Sequence, residues 1–267
     1  MPDVYSTIAE ADATIVGSLA EILEVRGADA QQQLMRQAYL SAVDFPPAAR
    51  VVEIGCGPGP VARSLAAMPG VGEVVGVDPS PIFLAKARDL ARDVPNLSFV
   101  EGDGRAVPLD DASFDVAVFH TTLCHIPGPE AALAEAHRLL RPGGWLAVFD
   151  GDYVTISCAT GDNDPLQACA DISAEFLIHD PWLARRLPAL VRAAGFDDLV
   201  LRGHSYVEAP SSGPYLLALL DRGADLLAAS GRVGPDLAAA LKDEARRRSA
   251  AGEFYGHINY VSVIARR

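Results

Sequence analysis

Three glycines at alternate positions, Gly55, Gly57 and Gly59, follow the apolar run Val51-Val-Glu-Ile54 and precede Val61 to Met68, a helix-forming stretch. Glycine is needed in such a turn where a Cβ would collide with a ligand or force an unfavourable φ. Strand, glycine turn and helix in that order open a nucleotide-binding βαβ unit. Acids then recur where later apolar runs end: Asp78 after Val74-Val-Gly-Val77, and Asp103 after Leu97-Ser-Phe-Val100. An acid one strand along from a glycine turn suits a ribose, because its two oxygens accept from both hydroxyls. Asp103 is placed to accept from the exocyclic amine of adenine. Together these residues read as a site for an adenine nucleoside.

The elements that must carry them alternate. Asp115 to Phe119 reads as a fourth strand running into His120-Thr-Thr-Leu-Cys-His125, Pro129 to Leu140 as a helix, and Trp145 to Phe149 as a fifth strand ending at Asp150-Gly-Asp152. Ser80-Pro81 starts the helix after Asp78, with Ser as cap and Pro in the first turn. Asp198 to Arg202 and Ile258 to Ala265 read as sixth and seventh strands, and Pro214 to Ser230 and Pro235 to Ala251 as amphipathic helices. The pattern predicts an α/β fold, a Rossmann-like seven-stranded, mostly parallel sheet with helices on both faces. A helical cap over residues 1–46 precedes a domain spanning 47–267. In that cap Ile15, Leu19, Ile22 and Leu23 share one helical face, and Leu34, Met35, Ala38 and Ala42 share another. Insertions at about 153–180 and 207–252 fall on the substrate side. The first shows no clear period, and Pro188 should break or restart the helix that follows it.

A net charge of −13 argues against binding nucleic acid or an anionic membrane, both of which need clustered Lys and Arg. The one dense basic run, Arg246-Arg247-Arg248, reads as a solvated helix face. Cys56, Cys124, Cys158 and Cys169 are far apart and form no Cys-x-x-Cys pair, so neither a disulfide framework nor a metal site is expected. With no signal-like start and no long apolar run, the expectation is a cytoplasmic protein.

Five stretches in order resemble the class I S-adenosylmethionine-dependent methyltransferases, in the small-molecule branch that includes the ubiquinone/menaquinone-type enzymes. They are Val52-Glu-Ile-Gly-Cys-Gly-Pro-Gly59, Gly76-Val-Asp-Pro-Ser80, Glu101-Gly-Asp103, Phe114-Asp-Val-Ala-Val118 and His137-Arg-Leu-Leu-Arg-Pro-Gly-Gly144. Val261 to Arg266 also resembles that family's last strand, which inserts antiparallel beside the fifth. The resemblance implies that Gly55, Cys56 and Gly57 pass under the methionine part of the cofactor and that Glu53 helps hold its amino end. It implies Asp78 on the ribose with Pro79 or Ser80 beside the adenine, and Asp103 on the adenine amine with Gly102 and Gly104 nearby. Phe119 and His120 would lie along the cofactor, and His125 would approach its methionine end. Arg36 is the arginine expected to pair with the methionine carboxylate.

The implied reaction is in-line methyl transfer from S-adenosyl-L-methionine to O, or to C or N, of a small organic molecule, leaving S-adenosyl-L-homocysteine. An acceptor that must lose a proton needs a base near neutral pH, and His120 and His125 are the candidates. Cys56 reads as a small filler and His137 as packing, while Asp152 stands between a turn and a site role. An NAD(P)-dependent oxidoreductase fits less well: Pro60 takes the third glycine position of its fingerprint, and no Tyr-x-x-x-Lys pair exists. A non-catalytic binder of S-adenosylmethionine on the same fold is the alternative that the sequence leaves open.

Overall fold

The computed structural model describes residues 3–208 and 214–267; part of the expected 207–252 insertion, residues 209–213, lies outside the described residues. In chain order the strands are β1 (Ala49–Ile54), β2 (Val71–Asp78), β3 (Leu97–Glu101), β4 (Phe114–His120), β5 (Leu140–Ser157), β6 (Asp197–Glu208) and β7 (Gly256–Arg266). They form one seven-stranded sheet in the order β3-β2-β1-β4-β5-β7-β6. The first five strands are parallel, and β7 inserts antiparallel between β5 and β6. β1 and β4 are neighbours although β2 and β3 intervene in sequence, so the strand order reverses there. That switch point opens a crevice at the carboxyl ends of the strands.

Strand burial follows the doubly covered sheet. Val51, Val52 and Ile54 of β1 and Val116 to Phe119 of β4 are inaccessible to solvent, as continuous apolar runs in a parallel sheet should be. The helices are α1 (Ala13–Ala28), α2 (Ala30–Leu40), α3 (Pro60–Ala66), α4 (Pro81–Leu90), α5 (Pro129–Leu139), α6 (Leu166–Leu177), α7 (Leu183–Ala193), α8 (Tyr215–Ala229) and α9 (Pro235–Ala251). Ser80 caps α4, its Oγ accepting from the Phe83 amide at 3.3 Å, and Pro81 occupies the first turn.

Several elements depart from the sequence reading. β5 does not stop at Phe149 but continues to Ser157, because β7 supplies an antiparallel partner as far as the Ser157–His257 pairing. Residues 153–180 are not aperiodic throughout: α6 buries Leu166, Cys169, Ala170 and Ile172. Pro188 does not break α7. It removes the amide that would reach the Ala184 carbonyl, but Leu183, Leu187 and Val191 remain buried along one stripe and hold the helix together.

The cap helices bury Leu19 and Met35 as expected but are rotated from the rest of the apolar faces expected of them. Ile15 is 49% exposed, and α1 buries Val16 and Ala20 beside Leu19. Leu34 is 64% exposed, while Gln32, Met35, Arg36, Tyr39 and Leu40 of α2 face inward. A separate small core of Ile8, Val16, Leu19, Ala20 and Phe83 seats the N-terminal segment on α4. The basic run on α9 is spent on ion pairs, with Arg246 on Asp221, Arg247 on Glu244 and Glu253, and Arg248 on Asp164. Among the described residues no helix is long and apolar enough to cross a membrane.

Candidate active site

A cavity of about 450 Å³ opens at the switch point, walled by the glycine turn, the ends of β2 and β4, the cap helices and α8. Gly55, Gly57 and Gly59 all have positive φ, at +76°, +53° and +84°, which L side chains rarely adopt. A Cβ on Gly55 would come within 2.1 Å of Thr122 Cγ2, so the turn lies against the loop after β4 as closely as backbone allows. Cys56 is buried in this turn, and burial pushes its thiol well above the ordinary range; it is a filler with no thiolate to offer.

Asp78 ends β2 and is almost fully buried. Its Oδ2 accepts from the Gly57 amide at 2.8 Å and its Oδ1 from the Ser80 amide at 2.9 Å. Burial pushes its pKa up to about 6, against the pull of those two amides. Each carboxylate oxygen keeps a second acceptor direction for a hydroxyl. Pro79 lines the cavity beside it.

Glu53, on β1, is the most telling group. It is 2% exposed, and its Oε2 has no hydrogen-bond partner among the described residues. Burial drives its pKa well upward, opposed first by the positive charge of Arg36. Arg36 is 6% exposed and donates from Nε to Ser64 Oγ at 3.2 Å, with no ion pair among the described residues. A buried acid with an orphaned oxygen beside a buried, unpaired arginine is costly unless a ligand completes it. The ammonium and carboxylate of an amino acid would do so, one on each residue. S-adenosylmethionine carries an amino acid at one end and an adenosine at the other, and the residues present fit it.

The two histidines differ. His120 is buried, its Nδ1 lies 3.0 Å from Tyr39 Oη, and its ring stacks on Phe149 at 4.8 Å. Burial, then the charges of Arg26 and Arg36, hold its pKa well below the usual value, so it stays neutral. His125 Nδ1 instead lies 2.5 Å from Asp3 Oδ2, with Tyr5 packed 4.6 Å from its ring. Both histidines line the cavity, as do Arg36, Glu53, Gly55, Cys56, Gly57, Asp78, Pro79, Asp103 and Gly104.

Three expected residues do not line it. The Ser80 hydroxyl is spent on the α4 cap, Phe119 is buried in the sheet core, and Gly102 sits under Pro108, whose Cδ lies 2.7 Å from where a Cβ would stand. Asp103 is at the rim, and both its oxygens already face Arg105, with Nη2 at 2.6 Å from Oδ2. That pairing holds its carboxyl below the usual range, so it presents an ionised acceptor. Asp152 pairs with Arg185 Nε at 3.0 Å and does not line the cavity.

Arg26, Tyr5, Tyr215 and Arg222 were not anticipated. Arg26 is 8% exposed, donates from Nη2 to Thr121 Oγ1 at 2.6 Å, and lies over the rings of Tyr215 and Tyr260 at 5.6 and 5.9 Å. Its one sequence signal was position: it follows Leu19 and Leu23 at helical spacing on the buried stripe of α1.

Residues 52–148 match a family model described as a methyltransferase domain. The methyltransferase GfsG of Streptomyces halstedii is 31% identical over 201 residues, spanning 73% of this chain and 68% of that protein. A demethylmenaquinone methyltransferase of Staphylococcus epidermidis is 28% identical over 127 residues, covering 47% of this chain and 53% of its own. Against the first such curated relatives, the match spans about half their length or less. A SAM-dependent methyltransferase from Thermotoga maritima shares the fold, with a TM-score of 0.53 at 21% identity over 95% of this chain and 97% of that one. With GfsG matched over 68% of its length, the chain belongs to the class I S-adenosylmethionine-dependent methyltransferases, a family whose cofactor is S-adenosyl-L-methionine.

Proposed function

We propose that this protein transfers a methyl group to a small organic acceptor, at oxygen or else at carbon or nitrogen. The observation that carries the reading is the buried Glu53 with its unpartnered Oε2 beside Arg36. Glu53 takes the cofactor's ammonium, Arg36 its carboxylate, Asp78 the ribose hydroxyls and Asp103 the adenine amine, while Gly55 to Gly57 pass beneath. When bound, S-adenosylmethionine supplies a methyl group on a positively charged sulfur.

The chain then has to align the acceptor and keep water out. Tyr5 and Ile8 of the N-terminal turn and Ile22 and Leu23 of α1 roof the cavity. Residues 1–46 therefore act as the cap, and the segments at 153–180 and 207–252 shape the acceptor side through Leu177, Ile178, Ala218 and Leu219. Of the two histidines, His125 is the better base. With Nδ1–H donated to Asp3, its Nε2 keeps the lone pair to take a proton from the acceptor. His120, held neutral and bonded to Tyr39, orients the wall instead. The acidic chain and its four unpaired, buried cysteines fit a cytoplasmic enzyme that does not act on nucleic acid.

Calorimetry with S-adenosylhomocysteine tests the cofactor assignment, with one site per chain expected. Absence of heat from folded protein overturns it. Transfer of labelled methyl from S-adenosylmethionine to an organic extract separates an enzyme from a non-catalytic binder.

A further inference from the structure

Beyond the groups assigned to the cofactor, the cavity holds two more arginines with no carboxylate partner among the described residues. Arg26 is buried at the end of α1, and among the described residues its one side-chain hydrogen bond goes to the Thr121 hydroxyl. Arg222 is half-buried on α8 and lines the same cavity. Tyr5 ties the two together, since its phenol feels the charges of both Arg222 and Arg26, and Tyr215 besides. Around Arg26 stand the phenols of Tyr260, Tyr215, Tyr153 and Tyr5, and its charge also reaches Arg36 and His120.

The spacing on α8 is orderly. Tyr215, Ala218, Leu219 and Arg222 stand at i, i+3, i+4 and i+7, one stripe of the helix, and all four line the cavity. This stripe offers an apolar strip with a phenol at one end and a guanidinium at the other. Leu177 and Ile178, at the end of α6, extend the apolar wall. Arg63, by contrast, lies outside the cavity wall and is paired with Glu24 at 2.6 Å. Arginines that meet an acid elsewhere in this chain are common; these two meet none among the described residues.

We propose that the methyl acceptor is an apolar molecule bearing an anionic group, and that Arg222 and Arg26 receive that group between the hydroxyls of Tyr5 and Tyr215. This rests on the methyltransferase reading above. Two guanidiniums forming charge-assisted hydrogen bonds select an acid over its neutral analogue, because the neutral form leaves desolvated cations unpaired. Arg222 acts as the specificity residue. Arg26 lies deeper, against Thr121 and near His120, and orients the same group toward the reacting end.

The test uses the intact protein saturated with S-adenosylhomocysteine, whose binding is first confirmed by calorimetry. Two fluorescent probes share one skeleton: 1-anilinonaphthalene-8-sulfonate, which is anionic, and N-phenyl-1-naphthylamine, which lacks the sulfonate. The sulfonate probe is expected to bind at one site at least tenfold more tightly than the neutral one. Arg222→Ala should erase that preference by weakening the anionic probe about tenfold or more, leave the neutral probe unchanged, and preserve S-adenosylhomocysteine affinity. Arg222→Lys should restore part of the preference. Equal binding of the two probes by the natural protein overturns the proposal, as does an Arg222→Ala variant that still discriminates. Loss of S-adenosylhomocysteine binding by the natural protein would instead overturn the cofactor assignment, so the two failures are told apart.

Discussion

Asp3 and His125 are 122 residues apart in sequence, yet Asp3 Oδ2 stands 2.5 Å from His125 Nδ1. The same oxygen accepts from the His179 amide at 3.0 Å, and Oδ1 accepts from the Tyr5 amide at 3.0 Å. One carboxylate thus fixes the N-terminal turn, the loop after β4 and the segment after α6. It closes the roof and sets the imidazole in the same act. His125→Ala should lower kcat about 10²-fold or more, the usual worth of a positioned base. Asp3→Asn should lose less in kcat, about tenfold, but raise KM as the roof loosens. Steady-state kinetics of the pair checks this: near-normal turnover in His125→Ala removes the base assignment.

Gly55 and Thr122 make the second test. A Cβ on Gly55 meets Thr122 Cγ2 at 2.1 Å and Oγ1 at 2.7 Å, and the backbone there has φ of +76°. Gly55→Ala should cost about 1–2 kcal/mol from the left-handed backbone alone, with more from the collision. Gly55→Ala in a Thr122→Ala background should recover most of the collision part, with only the Thr122 Cβ at 2.9 Å left in the way, and leave the backbone part. Thermal unfolding of the single and double variants measures the difference. A Gly55→Ala cost that is the same in the natural and the Thr122→Ala backgrounds would show that the two do not collide.

The fold was legible because its signals are local. Val51 to Ile54 is buried on both faces and so reads as a continuous apolar run, and Ser80-Pro81 announces a helix whatever packs on it. The glycine turn and Asp78 were legible for the same reason, since backbone geometry and a strand end lie within a few residues of each other. What stayed hidden depends on tertiary contact. α2 turns Gln32, Arg36 and Tyr39 inward at i, i+4 and i+7, and a search for apolar periodicity places Leu34 inside instead. β5 gained its second half only because β7 arrived to pair with it. The partner of His125 lies at the other end of the chain, and no spacing rule reaches that far.

Asp78 gives the chain a pH dependence. Its pKa is raised from 3.8 to about 6, so the folded protein holds a proton that the unfolded chain releases between those values. In the free protein its contribution to stability is therefore fully present below 3.8 and lost as pH rises through 6, a swing of about 3 kcal/mol. Ligand binding runs the other way, because the ionised carboxylate is the form that accepts from the ribose. S-adenosylhomocysteine affinity should climb as pH rises through 6 and level off above 7, with a loss of about tenfold at pH 5. Measuring this in Glu53→Gln isolates Asp78 from the other buried acid. A flat profile from pH 5 to 8 would detach Asp78 from the ribose.

Glu53 predicts a proton that can be counted. Burial pushes its carboxyl well above the ordinary range in the free protein, which favours the protonated form. A primary ammonium placed against Oε2 stabilises the ionised form and pulls the pKa back down. Binding of S-adenosylmethionine should therefore release protons, and the measured binding enthalpy should vary with the ionisation enthalpy of the buffer. Glu53→Gln keeps the shape but has no proton to release. Its enthalpy should be the same in phosphate and in Tris, and its affinity should fall about ten- to a hundredfold, the worth of a hydrogen bond to a charged group. Because the substitution also removes the need to bury an ionisable acid, the free variant should unfold at the same temperature or higher. A variant that binds weakly but still releases the proton would move the ammonium site to another acid, and Asp78 is the one within reach of Glu53's field.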